Sequence, residues 1–477
     1  MQAYIKYTIL LFSFFFIQIN SGSSNVVAEE VNRNRFYKKS AESSPKKLKA
    51  LVVYSSTSYF LYRGKTMGFE YELLERLANN LDRELEIVVS PNIDSLIPDL
   101  LAGKADLIAH GLAITQSRKE MVSFTDELYQ ASQVLVQKKP SNWRNMTLDE
   151  INRILARDPL DLVGETVTVR INSAYRERLE DINREIGGGI FLNVLDGTYS
   201  TDKIIEMVNN EELKYTVADD YLARINTSYM PDIDIKTVIS TRQQIAWAVR
   251  PESKDLLNTL NQQLKRAKKK VDYYVIYNKY FKNRSYFKRR IRSPFYSLKN
   301  NQISEFDEII KKEASRIGWD WRLLSSIIYQ ESRFDATAES WAGAVGLMQL
   351  MPETAKAHGL TNPTDPEANI RAGTTYLKQI YDHIEGIEDP DQRIKFTLAS
   401  YNCGYGHVLD AKRLAQAEGL QSNKWDNNVE LMVLRLSEPE TYHRPEVKHG
   451  YVMGKETYNY VNDIFQRYEH YSNFIDF

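Results

Sequence analysis

The sequence IIYQESRF, from Ile327 to Phe334, ends an apolar pattern of helical spacing on one carboxylate, that of Glu331. Three short stretches follow it in order, namely GLMQ from Gly346, SYNCG from Ser400 and ETYNYV from Glu456. A carboxyl group at the end of an apolar helix loses hydration, which raises its pKa and keeps it protonated near neutral pH. The pattern therefore predicts a general acid at Glu331. The alternative is a surface carboxylate on a helix end.

The sequence on both sides of this stretch has helical periodicity. From Ser304 onward strand-like runs vanish, and apolar residues recur at the spacing of a helix face. The predicted helices are Glu305 to Ile317, Trp321 to Glu331, Pro352 to His358, Ile370 to Ile384, Asp391 to Asn402 and Lys455 to Glu469. The carboxyl half is therefore predicted to be an all-α domain.

Upstream, from Leu48 to about Tyr280, short apolar runs alternate with amphipathic stretches. This alternation predicts an open α/β sheet, and its restart at Thr166 predicts two lobes. The lobes are expected to join near 134–136 and near 247–249, with a ligand in the cleft at the carboxyl ends of the strands. The predicted strands are 51–53, 87–89, 106–109, 166–169 and 215–218, and the predicted helices are 71–81, 96–101, 174–186 and 201–209.

Length and composition limit the function. The chain has 477 residues, a net charge of -1 and 43% hydrophobic residues, which predicts about three compact globular units. The balanced charge offers no general attraction for nucleic acid, so no nucleic-acid partner is predicted. The single cysteine, Cys403, excludes an intrachain disulfide and a zinc site built from thiolates. The seven histidines lack the i, i+4 arrangement of a zinc site, so we predict no metal and no cofactor.

The amino terminus has the pattern of an export signal. A cation precedes an apolar run from Tyr7 to Ile19, which is too short for the ~30 Å hydrocarbon core of a bilayer. The small residues Val26 and Ala28 fit signal-peptidase cleavage after Ala28. We therefore predict a signal peptide at 1–28, a flexible segment at 29–47 and an exported mature chain. An uncleaved membrane anchor is the alternative.

A basic and aromatic segment separates the two halves, and we place a linker at 281–302. One interpretation of the cations is contact with anionic cell-wall polymer or lipid headgroups. The other is a solvated helix end and a connection between domains. The cations are Lys268, Lys269, Lys270, Lys282, Arg284, Lys288, Arg289 and Arg290.

The four stretches that begin at Glu331 carry a resemblance. Glu-Ser, Gly-Leu-Met-Gln, Tyr-Asn-x-Gly and Glu-Thr-x-x-Tyr-Val, in order over roughly 130 residues, resemble the soluble-lytic-transglycosylase domain, which has a lysozyme-like fold. The amino-terminal half resembles the family 3 solute-binding proteins, periplasmic receptors for amino acids, through GFEYEL at 68–73, LAGKAD at 101–106, ITQSR at 114–118 and FTD at 124–126. The order of the two modules resembles the membrane-bound lytic murein transglycosylase F family.

This resemblance implies a multidomain chain with an α/β part and an all-α part. A two-lobed periplasmic-binding-protein-like module, non-catalytic and regulatory, is expected at 48–280. A lysozyme-like lytic transglycosylase domain is expected at 303–477. The implied activity is non-hydrolytic cleavage of the MurNAc-β-1,4-GlcNAc bond of peptidoglycan. The implied location is the periplasm, peripheral to the outer membrane.

The mechanism that the resemblance implies uses a single acid. Glu331 protonates the oxygen of the departing N-acetylglucosamine. It then takes the proton of the C6 hydroxyl of N-acetylmuramic acid, which attacks the anomeric carbon and leaves a 1,6-anhydromuramoyl end. Asp335 and Glu339 lie nearby in the sequence, but they fall on a loop and match no catalytic position of the family.

Seven further residues are expected to bind the glycan: Ser332, Gly346, Met348, Gln349, Tyr401, Asn402 and Tyr460. Gly346 is expected to let the backbone approach the sugar, and the Tyr401 hydroxyl to hold Glu331 or an acetamido group. Packing or loop geometry is the alternative role for Ser332, Met348 and Asn402.

The receptor resemblance implies a second site. Arg118 matches the arginine that grips the ligand α-carboxylate, and Asp219 matches the aspartate that pairs with the α-ammonium. Ser173 is expected to add a hydroxyl. Ala113 stands where such receptors often carry threonine, which is expected to alter carboxylate recognition. The expected ligand is a cell-wall peptide or an amino acid.

Three functions remain open on the sequence alone. The leading one is a lytic transglycosylase whose partners are peptidoglycan glycan strands, a peptide or amino-acid ligand and, peripherally, the outer membrane. The second is a lysozyme-type muramidase, which needs a second acid or a positioned water. The third is a non-catalytic solute or peptide receptor whose helical domain anchors it to murein.

Overall fold

The computed structural model describes residues 47–90 and 92–475. The predicted signal peptide, its cleavage site and nearly all of the segment 29–47 lie outside the described residues. Strands β1 to β13 are Leu48–Val52, Phe60–Tyr62, Lys65–Met67, Leu85–Val89, Leu107–Ala113, Ser123–Phe124, Tyr129–Ala131, Gln133–Lys138, Thr166–Arg170, Phe191–Leu195, Tyr215–Asp219, Ile233–Asp234 and Gln243–Val249.

The helices of the receptor-like half lie between these strands and after the last of them. Helices α1 to α10 are Phe69–Asn80, Leu96–Leu101, Gln116–Lys119, Leu148–Ile154, Ala174–Ile186, Thr201–Asn209, Asp220–Asn226, Lys254–Ala267, Val271–Phe281 and Arg284–Ile291. Short 3-10 turns add Ile93–Ser95, Trp143–Asn145 and Pro159–Leu162.

Lobe 1 is built on a mixed sheet with the order β4-β1-β5-β13-β6, and β7 also pairs with β13. Strand β1 is parallel to β4 and β5, whereas β13 is antiparallel to β5, β6 and β7. Leu73, Leu74 and Leu77 of α1 are buried against this sheet, as the helical spacing of these leucines predicts. Parallel neighbours at the centre place their carboxyl ends at one edge of the sheet, which faces lobe 2.

Lobe 2 has a second sheet with the order β10-β9-β11-β8-β12. The chain enters it at Ser132, between β7 and β8, and leaves it through 235–242, between β12 and β13. The segments 134–136 and 247–249, predicted as the connections between lobes, are instead buried strand interiors of β8 and β13. Their apolar side chains belong in the cores, so the crossings use the more polar residues beside them.

The carboxyl half is helical, as predicted. Helices α11 to α19 are Asp307–Ile317, Trp321–Ser332, Pro352–Ala357, Pro366–His383, Pro390–Cys403, Tyr405–Ala417, Glu430–Arg435, Pro439–Tyr442 and Gly454–Phe474, with a π-helical turn at Trp425–Val429. Leu324, Ile327 and Ile328 of α12 are fully buried in one core with Val461 and Ile464 of α19. This packing holds the end of α12 against the middle of α19.

The basic segment, within the range 281–302 that we predict as a linker, is folded against lobe 1. Helix α10 occupies much of it, and Phe287 and Arg290 are buried. The guanidinium carbon of Arg290 lies 4.1 Å from the ring centroid of Phe60, and its Nη2 donates to the Ser56 carbonyl at 2.9 Å. One cation of the run is therefore a packing residue, stabilised by aromatic rings.

The helical domain contacts lobe 1 through the β2–β3 hairpin. The Tyr471 hydroxyl of α19 donates to the carbonyl of Gly64, at the hairpin turn, over 2.8 Å. A Cβ on Gly64 would lie 2.6 Å from the Phe334 ring and 2.9 Å from the Tyr329 ring, so only glycine fits there. Nearby, the Tyr59 hydroxyl and His470 Nδ1 are hydrogen-bonded. The two modules thus share a packed interface.

No helix in the described part of the chain combines the length and the apolar character needed to cross a membrane.

Candidate active site

Glu331 lies in the last turn of α12, and its side chain is partly buried. Burial raises the pKa of its carboxyl group from 4.5 to about 7, and a hydrogen bond from Tyr460 opposes part of this rise. The carboxyl is therefore half protonated near neutral pH. A group with this pKa can donate a proton and take one back at physiological pH.

Tyr460 is the hydrogen-bond partner of Glu331. Its hydroxyl donates to Glu331 Oε1, and its ring is buried in the core beside α12. Helix α19 reaches this position because Gly454 begins it in close contact with the Val433 carbonyl, where a Cβ would lie only 1.9 Å away. Tyr460, expected to contact the glycan, is thus placed by the structure on the acid itself.

The segment Gly346–Gln349 forms the wall beside the acid. Ser332 Oγ donates to the Leu347 carbonyl at 2.9 Å, and the Tyr401 hydroxyl donates to the Met348 carbonyl at 2.7 Å. Tyr401 therefore holds the wall and does not bond Glu331, which was one of its two expected roles. The Met348 side chain is fully buried, so it supports the wall from behind and does not face a glycan.

The backbone conformation and close packing at position 346 require a glycine. Its φ is +83°, and a Cβ would lie 2.3 Å from Asn369 Nδ2 and 2.3 Å from the Pro363 carbonyl. The Cβ direction points into the protein, so the glycine serves the packing of the wall and not an approach to sugar through that face. Gln349 Nε2 donates to the carbonyls of Ala338 and Gly346, each at 3.0 Å, and pins the wall to the preceding hairpin.

Asn402 and Cys403 close the end of α15. Asn402 is exposed, and its Oδ1 accepts from Thr457 Oγ1 of α19 at 2.7 Å, which joins two helices that flank the cleft. Burial raises the pKa of the Cys403 thiol to about 11, so the thiol stays protonated and is no nucleophile.

Within the part of the chain that the structure describes, no second carboxylate acts on Glu331. No Asp or Glu among the described residues contributes to the pKa of Glu331. Asp335 is exposed and accepts from the backbone N–H and the hydroxyl of Thr337, at 2.9 and 2.7 Å, which makes it a turn residue. Glu339 is exposed in the hairpin, opposite Val345. The arrangement provides one acid–base group.

The receptor-like half contains a separate cavity of about 790 Å³ between the two lobes, and Arg118, Ser173 and Asp219 all line it. Lobe 1 and lobe 2 are hydrogen-bonded across it, because Ser56 Oγ donates to Asp202 Oδ2 and Ser117 Oγ donates to Glu177 Oε1, each at 2.9 Å. The lobes are therefore closed on the cavity.

The three predicted ligand contacts differ in how many of their hydrogen-bonding groups are already used within the protein. Arg118 is nearly buried and donates to the carbonyls of Ala113 and Asn172 at 3.0 and 3.3 Å, which leaves N–H groups for a ligand. Ser173 caps α5, and its hydroxyl donates to the Arg170 carbonyl at 2.7 Å, so its proton is used within the protein. Burial raises the pKa of Asp219 to about 7, although its hydrogen bond with Tyr175 acts in the opposite direction.

Sequence reasoning missed Arg170, Tyr175 and Asp202, which line the same cavity. Arg170 is buried, and its Nε has no hydrogen-bond partner among the described residues. The pattern that identifies Arg170 is its position as the last residue of β9, at the carboxyl end of a central strand. Among the described residues, no group of three or more His, Cys, Asp or Glu side chains is arranged for a metal ion.

Two domain families match the chain. The Transglycosylase SLT domain matches residues 308–423, and the bacterial extracellular solute-binding proteins, family 3, match residues 52–283. A protein of Desulfosudis oleivorans named membrane-bound lytic murein transglycosylase F is 35% identical over 424 residues, 89% of each chain. A protein of the same name from Shewanella loihica is 30% identical over 435 residues, 90% of this chain and 87% of that one.

The chain belongs to the membrane-bound lytic murein transglycosylase F family. This confirms the predicted order of a receptor-like α/β module and a helical transglycosylase domain, and the predicted enzyme class. Among solved structures, holo ArgBP from T. maritima is 29% identical with a TM-score of 0.40, over 49% of this chain and 95% of that one. The substrate-binding protein of an amino acid ABC transporter is 24% identical with a TM-score of 0.42, over 50% and 100%.

Proposed function

We propose that Glu331 is the sole acid and base of a reaction that cleaves the MurNAc-β-1,4-GlcNAc bond and closes a 1,6-anhydro ring. The observation that carries the proposal is a single partly buried carboxyl with a pKa of about 7, held by Tyr460, with no second carboxylate acting on it among the described residues. A retaining or inverting hydrolase of the usual kind uses two carboxyl groups. One group that titrates near neutrality suits a reaction in which it first gives and then regains a proton.

The proton balance closes on Glu331. Its carboxyl proton goes to the glycosidic oxygen as the C1–O bond breaks and N-acetylglucosamine leaves. The C6 hydroxyl of N-acetylmuramic acid then bonds to C1 and returns its proton to Glu331, which regenerates the acid. The nucleophile is tethered to the reacting sugar, so ring closure gains from proximity and needs no bound water. The acetamido group of the same sugar supplies the stabilisation that a second carboxylate gives elsewhere.

The remaining side chains hold the acid and the wall. Tyr460 orients Glu331, whereas Ser332 and Tyr401 fix the backbone of Gly346–Gln349 through its carbonyls. Asn402 is the exposed member of the set, and Gln349 and Tyr401 are partly exposed, so these three side chains are the ones accessible to a glycan.

Digestion in water enriched in ¹⁸O tests the reaction type. The proposal predicts muramoyl ends without the label, because no water enters the product. Label at a reducing muramic end would establish a muramidase instead. Murein that binds the protein and releases no fragment would favour the receptor without catalysis.

For the receptor-like module we propose an amino acid or a cell-wall peptide as ligand, held with its carboxylate at Arg118 and its ammonium at Asp219. Both side chains line the cavity between the lobes, and Arg118 retains free N–H donors. Calorimetric titration with single L-amino acids, and with peptides released from sacculi by an amidase, tests this. Heat that persists in Arg118→Ala would contradict the assignment.

The ligand cavity is connected to the acid by one short stretch of chain. Ser56 lines the cavity and bonds Asp202 of lobe 2, and eight residues later Gly64 contacts Tyr329 and Phe334, on either side of Glu331. We propose that closure of the lobes is transmitted to these residues on either side of Glu331. Cleavage rates are expected to change with the amidase-released peptides in the parent and not in Arg118→Ala. Equal rates in the parent would contradict the coupling.

We further propose export to the periplasm and peripheral contact with the outer membrane. The support is the leader pattern at 1–28 and an exposed face on α9, where Val271, Tyr274 and Val275 lie side by side. No Asp or Glu occurs between Asp272 and Glu305. Such a face suits an anionic lipid surface. Sedimentation of the exported protein with phosphatidylglycerol vesicles, lost at high salt, is the expected result.

A further inference from the structure

The helical domain exposes few large apolar side chains. In its described part they are Trp341, Met351, Tyr451 and Met453, with exposed fractions of 97%, 44%, 55% and 54%. All four lie in segments that adjoin catalytic elements. Trp341 and Met351 flank the wall Gly346–Gln349, and Tyr451 and Met453 directly precede the helix that carries Tyr460.

Trp341 is the most exposed of them and stands at the tip of a hairpin. Ser340 N donates to the Ala344 carbonyl at 2.9 Å, and Ala344 N donates to Ser340 Oγ at 3.0 Å, which closes the turn. The hairpin continues into the catalytic wall through the bridges Glu339–Val345 and Val345–Leu350. Its tip is therefore held in a fixed position and is not a free loop.

Trp341 lies at the tip of the hairpin, and three residues separate it from Val345, which directly precedes the wall Gly346–Gln349. Its ring makes no contact with another described aromatic ring, whereas Trp247 and Trp425 are fully buried. The Trp341 indole therefore buries almost no surface, and its packing does not stabilise the fold. An exposed tryptophan on a rigid support is instead typical of a binding contact.

We propose that Trp341 is a glycan subsite, in which the indole stacks on a pyranose ring of the strand outside the two sugars that flank the cleaved bond. The C–H face of a sugar is apolar and complements the electron-rich face of an indole. Residues 334–355 contain no Lys or Arg, and they carry Asp335, Glu339 and Glu353, so an anionic lipid surface is a poor partner for this hairpin. The subsite rests on the proposed role of Glu331.

The test compares Trp341→Ala with the parent on long glycan strands and on tetrasaccharide fragments of the same murein. The expected result is an approximately tenfold loss of the preference for long strands, measured as the ratio of kcat/KM values. Trp341→Phe should retain most of the parent's preference for long strands. Leu148→Ala, an exposed apolar residue of lobe 2, is the matched control and should match the parent.

Three outcomes separate the explanations. A Trp341→Ala protein with the parent's preference for long strands would overturn the subsite. Unchanged preference together with weaker binding to phosphatidylglycerol vesicles would overturn it too, and would assign the indole to a membrane. Glu331→Gln, assayed in parallel, reports on the proposed reaction itself, so a failure there is distinguishable from a failure of the subsite.

Discussion

Glu331 owes its raised pKa to the apolar residues that fill the rest of its helix face. Ile327 and Ile328 are fully buried one turn before it, and among the described residues Tyr460 provides the one side-chain hydrogen bond that affects its pKa. Desolvation favours the neutral carboxyl, and the tyrosine bond favours the carboxylate. The net effect is a pKa of about 7, in the range where one group serves as acid and then as base.

The pH dependence of cleavage follows from this pKa. The first step needs the protonated acid, so kcat/KM should be level at low pH and fall about tenfold per pH unit above about 7. Rates between pH 3 and pH 9 on purified glycan strands measure it. A fall centred near the ordinary glutamate pKa of 4.5 would show that the carboxyl is not desolvated.

Removing the Tyr460 hydroxyl should shift this profile in a defined direction. Its hydrogen bond lowers the pKa of Glu331, so Tyr460→Phe should move the fall in rate to higher pH. The plateau rate should drop about tenfold, because the acid loses its orientation. Tyr458→Phe, on the same helix, is the control and should retain the parent profile. A shift to lower pH in Tyr460→Phe would contradict the account.

For single residues, the sequence indicates which side chains are chemically able to react, but it does not show which side chains bond each other. Glu331 is predictable as a carboxyl with a raised pKa because the apolar helix before it is contiguous with it. Its bond to Tyr460 spans 129 residues, so only the fold brings the two together. Ser332, Gly346 and Met348 belong to the expected site, but in the structure they support its wall. The Ser332 hydroxyl bonds a wall carbonyl, the Cβ direction of Gly346 points into the protein, and the Met348 side chain is buried.

Among the elements, three helices of the receptor-like half have the predicted ends, namely 96–101, 174–186 and 201–209. Ser173 and Ser200 cap the last two through their side chains, whereas 96–101 has no side-chain cap. The β2–β3 hairpin escapes prediction because each of its strands has three residues. Helix α10 is not predicted either, because it buries few residues and the many cations around them obscure the apolar pattern.

The turn of that hairpin is testable with a matched pair of glycines. Gly64 and Gly103 have similar φ angles of +70° and +76°, but a Cβ meets Phe334 and Tyr329 at Gly64 and nothing within 4 Å at Gly103. Gly103→Ala should cost about 1 kcal/mol of unfolding free energy through backbone strain. Gly64→Ala should cost about 1–3 kcal/mol more, because the ring contacts resist the methyl group. Urea denaturation measures both, and equal losses would contradict the packed interface.

For the whole molecule, the order of modules is predictable from the motifs, whereas their contact is not. The residues that join lobe 1 to the helical domain, such as Tyr59 and His470, are 411 positions apart and lie in no motif. The same holds for the lobe crossings. The apolar runs 134–136 and 247–249 are evident in the sequence, but only the packed lobes show that they lie within β8 and β13 and do not cross between lobes.

Ligand binding by the closed lobes should depend on pH in the opposite sense from cleavage. Burial raises the pKa of Asp219 to about 7, and an ammonium ligand needs the carboxylate form. Affinity for amidase-released peptides should therefore rise between pH 6 and pH 8. Asp219→Asn should bind weakly at both values. Affinity that is equal at pH 6 and pH 8 in the parent would rule out Asp219 as the ammonium contact.

The proposed role of Glu331 as the sole acid and base is tested most directly by mass spectrometry of the products from intact sacculi, with the parent and with Glu331→Gln. We expect 1,6-anhydromuramoyl fragments from the parent and at least a thousandfold fewer from a folded Glu331→Gln protein, within the range expected for losing a general acid and base, about 10² to 10⁴. Reducing muramic ends from the parent, or anhydro products from Glu331→Gln at the parent's rate, would contradict it.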